Sequence, residues 1–263
     1  LGLGGIAIWI LGLTDRYMLK FLLPEQIALT QVGLYSLGAK LAMIIRFILV
    51  GPFMISWGVL MFSYQNDIRA KEIYASVLKY FVFLGGILFF ILSLFSKEVI
   101  MILVSNNLYH LAYKIVPFLS LSIILHGVYQ VFSVGVTLTK KTKYVIYSNY
   151  SAAISNIGLN FVLIPKYGMF GAAFASVIAY TINVIIIYCF AQKVYHINYK
   201  IVKVIVYLIV LCTIIFLSNY YDVNTLFKVI ICILVILIAP SLGLVNYSQI
   251  NSGFKMIYGK IIK

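Results

Sequence analysis

The sequence predicts an all-α membrane protein, a polytopic bundle of about eight transmembrane helices. Three observations favour this class: 63% of the 263 residues are hydrophobic, only 10% are charged, and the charges lie between long apolar runs. Soluble domains carry about 25% charged residues, so this chain has too few to cover a surface that faces water. Its high apolar content also excludes a disordered chain.

Seven charge-free runs predict the spanning helices. Each contains about 17 residues or more, which is enough to cross a hydrocarbon core roughly 30 Å thick. The runs lie between Arg46 and Asp67, Lys79 and Lys97, Lys114 and Lys140, Lys143 and Lys166, Lys166 and Lys193, Lys203 and Asp222, and Lys228 and Lys255. An eighth apolar stretch, Leu1 to Thr14, is too short to span a membrane alone. We expect it to be the end of a helix that begins upstream, and the chain to be the C-terminal part of a longer protein.

The net charge of +14 is explained by membrane topology rather than by nucleic-acid binding. One set of alternate connections, together with the C-terminal tail, holds twelve Lys and Arg residues, and the opposite set holds seven. Loops that are rich in Lys and Arg stay on the cytoplasmic side. We therefore expect a cytoplasmic C-terminus.

The helix that follows Gln31 contains the first candidate binding residues. A helix turns by about 100° per residue, which places Gln31, Tyr35, Gly38, Ala42 and Arg46 on one small or polar face. A cation inside a span costs about 2.5–3.5 kcal/mol on insertion scales, so Arg46 should face a water-filled cavity. Its planar guanidinium suits phosphate, which it can bind through two oxygens at once. A structural pair with Asp15, or an arginine that reaches to the membrane interface, is the alternative.

Asp15 and Arg16 end the first apolar stretch. They form either an interfacial ion pair that ends the helix or, in the case of Asp15, part of the mouth of the cavity that contains Arg46. Lys40 lies about 120° from Arg46 around the helix, so both residues can line only a wide cavity. No acidic residue lies deep in a predicted span, and Arg46 is therefore the clearest deep charge. His126 is expected to be a hydrogen-bonded structural histidine rather than a proton relay.

Small residues after Pro165 predict a close helix contact. Two pairs of small residues, Gly168 with Ala172 and Gly171 with Ala175, are each four residues apart. This spacing lets two helix backbones approach closely in lipid. We expect Pro165 to end one helix and Gly168 to open the turn that follows. No zinc motif and no hydrolase motif occurs, and the three cysteines lie in apolar runs, so neither a metal site, a cofactor nor an enzyme is predicted.

Two motifs separated by several predicted helices resemble those of a known family. The first is Asp15–Tyr17 followed by Val32–Ser36 and Lys40–Ala42; the second is Asn160–Gly168 followed by Gly171–Ala173. Their order and spacing resemble the bacterial polysaccharide exporters, which are lipid-linked oligosaccharide flippases, including O-antigen flippases, of the multidrug/oligosaccharidyl-lipid/polysaccharide exporter superfamily. The resemblance covers nearly the whole chain.

This resemblance implies the second lobe of a MATE-like, two-lobe exporter. Residues 1–190 would form helices seven to twelve, and residues 191–263 two additional helices and a cytoplasmic tail. The implied substrate is an undecaprenyl-pyrophosphate-linked O-antigen or capsular repeat unit. It would move from the inner to the outer leaflet of the bacterial cytoplasmic (inner) membrane during polysaccharide biosynthesis. The residues expected to contact it are Arg46, Asp15, Arg16, Lys40, Gln31 and Tyr35.

The resemblance also implies partners: the bilayer, a coupling ion (H⁺ or Na⁺), a polysaccharide polymerase and a chain-length regulator, but no nucleic acid. Two other functions stay open. A multidrug or cation exporter of the same superfamily would need an acidic cavity. A membrane polysaccharide polymerase or acyltransferase would need a large outer loop or a catalytic cluster of His, Asp and Arg, and the sequence shows neither.

Overall fold

The computed structural model of the chain describes residues 14–221 and 223–238, and these residues form helices joined by short connections. No strand occurs within these two ranges, which confirms the predicted all-α class. The α-helices are α1 (14–22), α2 (Glu25–Ile45), α3 (Gly51–Ser63), α4 (Ala70–Leu94), α5 (Ser96–Leu103), α6 (Val116–Phe132), α7 (Val134–Leu138), α8 (Lys143–Tyr167), α9 (Met169–Val194), α10 (Ile201–Tyr220) and α11 (Thr225–Ile238). A π-helix (Arg46–Val50) joins α2 to α3, and a 3₁₀-helix (Asn107–Ile115) precedes α6. The apolar stretch before Thr14 and most of the predicted span after Lys228 lie outside the described residues.

Within the described residues, five helical runs are long and apolar enough to cross a membrane. They are Glu25–Ser63, Ala70–Leu94, Asn107–Leu138, Met169–Val194 and Ile201–Tyr220. Many large apolar side chains also lie on the outside of the bundle, among them Phe21, Ile55, Ile102 and Phe216. Soluble monomers rarely expose extensive apolar patches, whereas lipid covers them at no cost. The described residues therefore form a helical bundle of the membrane type.

The predicted span after Arg46 is only the second half of a longer helical run. The run from Glu25 to Ser63 contains 39 residues. At 1.5 Å per residue, it is about 58 Å long, well beyond the thickness of a hydrocarbon core. Arg46 therefore lies near the middle of a continuous helical rod rather than at the start of a span.

Helix α8 differs from its prediction in two ways. It contains 25 residues, but its buried serine and asparagine side chains make it too polar to count among the five apolar runs. Pro165 also lies inside α8, so the expectation that Pro165 ends the helix is wrong. A proline removes its own N–H donor from the ladder and crowds the preceding turn, but it leaves the later donors in place. The helix continues to Tyr167, where the Gly168 N–H still donates to the Ile164 carbonyl at 2.8 Å.

An aromatic core holds α3, α4, α6, α9 and α10 together. The Tyr207 ring of α10 packs directly on Gly86 of α4, where an added Cβ would lie 2.4 Å from the ring. The Tyr207 hydroxyl donates to the Phe83 carbonyl at 3.2 Å. A second, smaller core joins α1, α2, the 3₁₀-helix, α6 and the hairpin of α8 and α9. Helix α10, the first of the two predicted additional helices, thus packs tightly against α4.

The hairpin of α8 and α9 has the closest backbone approach of the positions singled out from the sequence. A Cβ added to Gly171 would lie 2.4 Å from the Leu163 carbonyl oxygen. Gly168 adopts φ +55°, a left-handed conformation that favours glycine, and so makes the turn between the two helices. Ala172 and Ala175 are fully buried. This contact brings the polar face of α8 against α9 and against Asp15 of α1.

Candidate functional site: a buried polar network around Asp15

The Asp15 carboxylate is the centre of a network that joins α1, α2, α8 and α9. Its Oδ2 accepts hydrogen bonds from the Tyr35 hydroxyl at 2.5 Å and the Ser176 hydroxyl at 2.5 Å. Its Oδ1 accepts from the amide of Asn160 at 2.7 Å and that of Asn156 at 3.2 Å. Four side chains from three other helices therefore converge on one carboxyl group. We call these five residues the Asp15 network.

Burial makes the Asp15 network chemically unusual. Asp15 is 2% exposed, and all four of its donors are uncharged. The effective penalty for burying an ion is several kcal/mol, and hydrogen bonds from neutral groups offset part of it. The Asn160 Oδ1 atom is buried as well and has no hydrogen-bond partner among the described residues. A carboxylate next to an unsatisfied amide oxygen can accept a proton, or it can supply oxygen ligands to a hard cation.

The described residues hold no group of three or more His, Cys, Asp and Glu side chains that could bind a metal ion. A transition-metal centre of the usual His and Cys composition is therefore absent from residues 14–221 and 223–238. The oxygen atoms of the Asp15 network suit a proton or an alkali cation better than a transition metal. All of these ligands are hard oxygen atoms, and the carboxylate is the only charged group among them.

Arg46 begins the π-helix on the long helical rod. π-Helices are rare, appear mostly as single-turn insertions, and frequently mark functional sites. The Arg46 side chain is half-buried, and its charge acts on the rings of His126 and Tyr180. The charge of Asp15 also acts on Tyr180. The charges of both Arg46 and Asp15 therefore act on Tyr180.

His126 connects this region to a second polar cluster. Its ring stacks on Tyr129 with centroids 6.0 Å apart and meets Tyr180 edge-on at 5.8 Å. Neither ring nitrogen has a hydrogen-bond partner among the described residues, so the expected hydrogen-bonded structural histidine is not observed. Beyond Tyr129, Asn183 donates to the Asn149 side chain at 3.0 Å. A polar seam, from the Asp15 network through Tyr180 and His126 to Asn149 and Asn183, therefore runs inside the bundle.

The six residues expected to contact substrate lie in different environments. Asp15 and Tyr35 bond to each other within the network. The Gln31 side chain accepts the Met169 N–H at 2.9 Å and packs on Gly168, so it caps the start of α9. Arg16 is half-buried, with an Nε atom that has no partner among the described residues, and Lys40 is exposed.

Arg46 is not the most deeply buried charge, contrary to expectation. Asp15 is buried and Arg46 is only half-buried, because Asp15 lies on the inner face of α1 where three other helices meet. Tyr35 was among the expected contact residues, but the other three donors to Asp15, which are Asn156, Asn160 and Ser176, were missed. Asn149, Asn156 and Asn160 recur at spacings of seven and four along α8, which places them on one helical face. That recurrence of amides in an uncharged run was the available signal.

No protein-family model, no curated protein and no solved structure matches this chain.

Proposed function

We propose that the chain contains the second lobe of a flippase for lipid-linked oligosaccharides, followed by two additional helices. The observation that carries this proposal is the polar seam that contains Asp15, Tyr180 and His126, with Arg46 beside it, inside a bundle whose outer surface is apolar. Polar and ionisable groups within a membrane bundle are expensive and mark substrate or ion pathways. A phosphate and sugar headgroup could follow such a seam while its lipid tail stays in the bilayer.

Arg46 is the group proposed to bind the pyrophosphate of the substrate. Its guanidinium is a permanent cation with a planar set of donors that matches two phosphate oxygens. The π-helix that begins at Arg46 departs from the regular hydrogen-bond ladder, which gives this part of the rod an alternative local geometry. Alternating access would require the two lobes to rock about a cavity between them.

The coupling ion is proposed to bind at the Asp15 network. Support comes from the buried carboxylate, its four neutral donors and the unsatisfied Asn160 oxygen. Binding of H⁺ or Na⁺ would neutralise the carboxylate and change which donors it holds. Because these donors belong to α2, α8 and α9, occupation of the site would alter the contacts among those helices and α1.

The first test is complementation in a bacterium that lacks its own flippase, with surface polysaccharide as the measurement. The gene product that contains this chain should restore the polymer, and its Arg46→Ala variant should not. Lys141→Ala, which removes an exposed cation from the connection before α8, is the matched control and should behave as the parent. Normal polymer from Arg46→Ala at equal expression would refute the proposed role of Arg46.

A second test separates ion coupling from substrate binding. Transport of a fluorescent lipid-linked sugar into the outer leaflet of proteoliposomes would be measured with a Na⁺ gradient, with a proton gradient and with neither. Asp15→Asn should abolish the response to the gradient, whereas Glu25→Gln, an exposed acid in the first turn of α2, should keep it. A gradient response that survives Asp15→Asn would exclude Asp15 as the coupling site.

A multidrug or cation exporter is the second candidate, and the buried acid is the observation that favours it. Exporters of organic cations need an intramembrane carboxylate, and Asp15 supplies one. The two functions differ in a simple assay: resistance to cationic drugs on expression, lost in Asp15→Asn, favours the drug exporter. Restored surface polysaccharide without drug resistance favours the flippase.

A further inference from the structure

A basic cavity lies at the end of the bundle where α4 and α10 begin. Its volume is about 510 Å³, within the range of roughly 300–1,000 Å³ that is usual for small-ligand sites. The first turns of α4 line one side, and the connection from α9 to α10 lines the other. The residues that face it are Lys71, Glu72, Ala75, Ser76, Lys79, His196, Asn198, Tyr199 and Lys200.

The charges around this cavity favour an anion. Lys71, Lys79 and Lys200 line the cavity, and Glu72 is the one acid among the lining residues. Lys71 and Lys79 are eight residues apart, which places them on the same face of α4. The Lys200 and Lys203 charges both act on Lys79, so four cations are concentrated in this small region. Within the described ranges, no ion pair neutralises the three lining lysines.

The helix geometry adds to this preference. Helix α4 begins at Ala70 and α10 begins at Ile201, each directly next to a lysine that lines the cavity. The start of an α-helix carries a partial positive charge that stabilises anions. Two helix starts therefore lie next to lysines that line the cavity.

Tyr199 provides an independent sign of a missing ligand. It lines the cavity and is 3% exposed, yet its hydroxyl has no hydrogen-bond partner among the described residues. A buried hydroxyl without a partner costs free energy, and native proteins rarely leave one unsatisfied. Burial raises the pKa of Tyr199, so the phenol stays protonated and can donate a hydrogen bond to an anion. Its ring packs edge-on against Phe132, with centroids 4.9 Å apart.

From these observations we infer that the cavity between α4 and the connection 195–200 binds a phosphate-bearing group. Lys79, half-buried at the inner part of the wall, and Lys200 would contact the phosphate oxygens, and the Tyr199 hydroxyl would donate the hydrogen bond that it lacks. Two sources share this chemistry: the headgroup of an anionic phospholipid at the membrane surface, and a soluble polyphosphate. The inference does not depend on the proposed transport function, because the cavity is separate from the polar seam.

Lysine protection distinguishes the two sources. The chain would be placed in phosphatidylcholine nanodiscs alone, in the same nanodiscs with inorganic pyrophosphate, and in nanodiscs that also contain phosphatidylglycerol. An amine-reactive reagent would then be applied, and modification of each lysine measured by mass spectrometry. Protection of Lys79 and Lys200 but not of exposed Lys141 supports the inference, and the arm in which it occurs identifies the source. Absence of protection in both arms, or equal protection of Lys141, overturns it.

Substitutions give a second readout that does not rely on lysine chemistry. In whichever arm shows protection, affinity would be measured from the concentration dependence of an environment-sensitive probe attached at Cys189, an exposed cysteine. Lys79→Gln should weaken binding about tenfold or more, since it removes a cation that pairs with the phosphate, and Tyr199→Phe about three- to tenfold, since it removes one hydrogen bond from an uncharged donor. Lys141→Gln changes the net charge equally and should stay within about twofold of the parent. Equal weakening by Lys79→Gln and Lys141→Gln would show attraction by net charge only and overturn the site.

Discussion

Replacing Tyr35 by phenylalanine tests whether the Asp15 network stabilises the bundle. The substitution removes one of four donors to the carboxylate and leaves the ring in place. Tyr35 is buried in the smaller core, so phenylalanine keeps its apolar contacts and creates no cavity. A hydrogen bond to a charged group contributes about 1.5–3 kcal/mol, whereas polar contacts between membrane helices average about 0.6 kcal/mol. Because the acceptor here is a buried carboxyl group, we expect a loss near 1.5 kcal/mol, about tenfold in the unfolding equilibrium.

The assay is the free energy of unfolding of the chain in bicelles, measured by steric trapping. Tyr147→Phe, at an exposed tyrosine of α8, is the matched control and should change it by less than about 0.5 kcal/mol. Ser176→Ala removes the second donor to the same Oδ2 atom. The double variant should differ from the sum of the single variants by about 0.5 kcal/mol or more, because both hydroxyls serve one oxygen. A neutral Tyr35→Phe, or strict additivity with Ser176→Ala, would refute the shared-acceptor reasoning.

Two further predictions concern helix contacts. Gly171→Ala should destabilise the chain by about 1–3 kcal/mol, because its Cβ would lie 2.4 Å from a backbone carbonyl that cannot move aside. Gly158→Ala, where an added Cβ meets nothing within 4 Å, should be neutral or slightly stabilising in the same unfolding assay; equal losses at both glycines would contradict the close packing. Lys228 donates to Glu98 at 2.7 Å and is itself buried, so Lys228→Met should weaken the attachment of α11 by up to about 3 kcal/mol. Faster maleimide labelling of buried Cys232 would report that detachment, and an unchanged labelling rate would count against it.

The helical class and most span positions could be predicted because they follow from composition summed over long windows. Four charge-free runs coincide with long helices of the structure, since a stretch without charges in this chain has no other way to bury its backbone. The charge-free run between Lys143 and Lys166 also coincides with a helix, α8, although the expectation that Pro165 ends this helix failed. The tendency of a single proline to end a helix is weaker than the packing of the whole helix against its neighbour.

The candidate site was less accessible to sequence reasoning because it depends on contacts between distant residues. Asp15 and Ser176 are separated by 161 positions, and nothing local to either residue indicates that they meet. In a hydropathy profile, Asn156 and Asn160 are only single polar residues within an apolar run. Only the tertiary arrangement shows that both amides are directed at the same carboxylate.

Existing hydrogen bonds limit which side chains can contact a substrate. A side chain whose donors and acceptors already serve the protein must break those bonds before it binds anything else, at a cost of about 1–3 kcal/mol for each buried group left unpaired. Asp15, Tyr35 and Gln31 are all committed in this way. Arg46 is half-buried, and within the described ranges no hydrogen bond or ion pair occupies its guanidinium. To bind a ligand, Asp15, Tyr35 and Gln31 would therefore have to break existing hydrogen bonds, whereas the Arg46 guanidinium would break none within the described ranges.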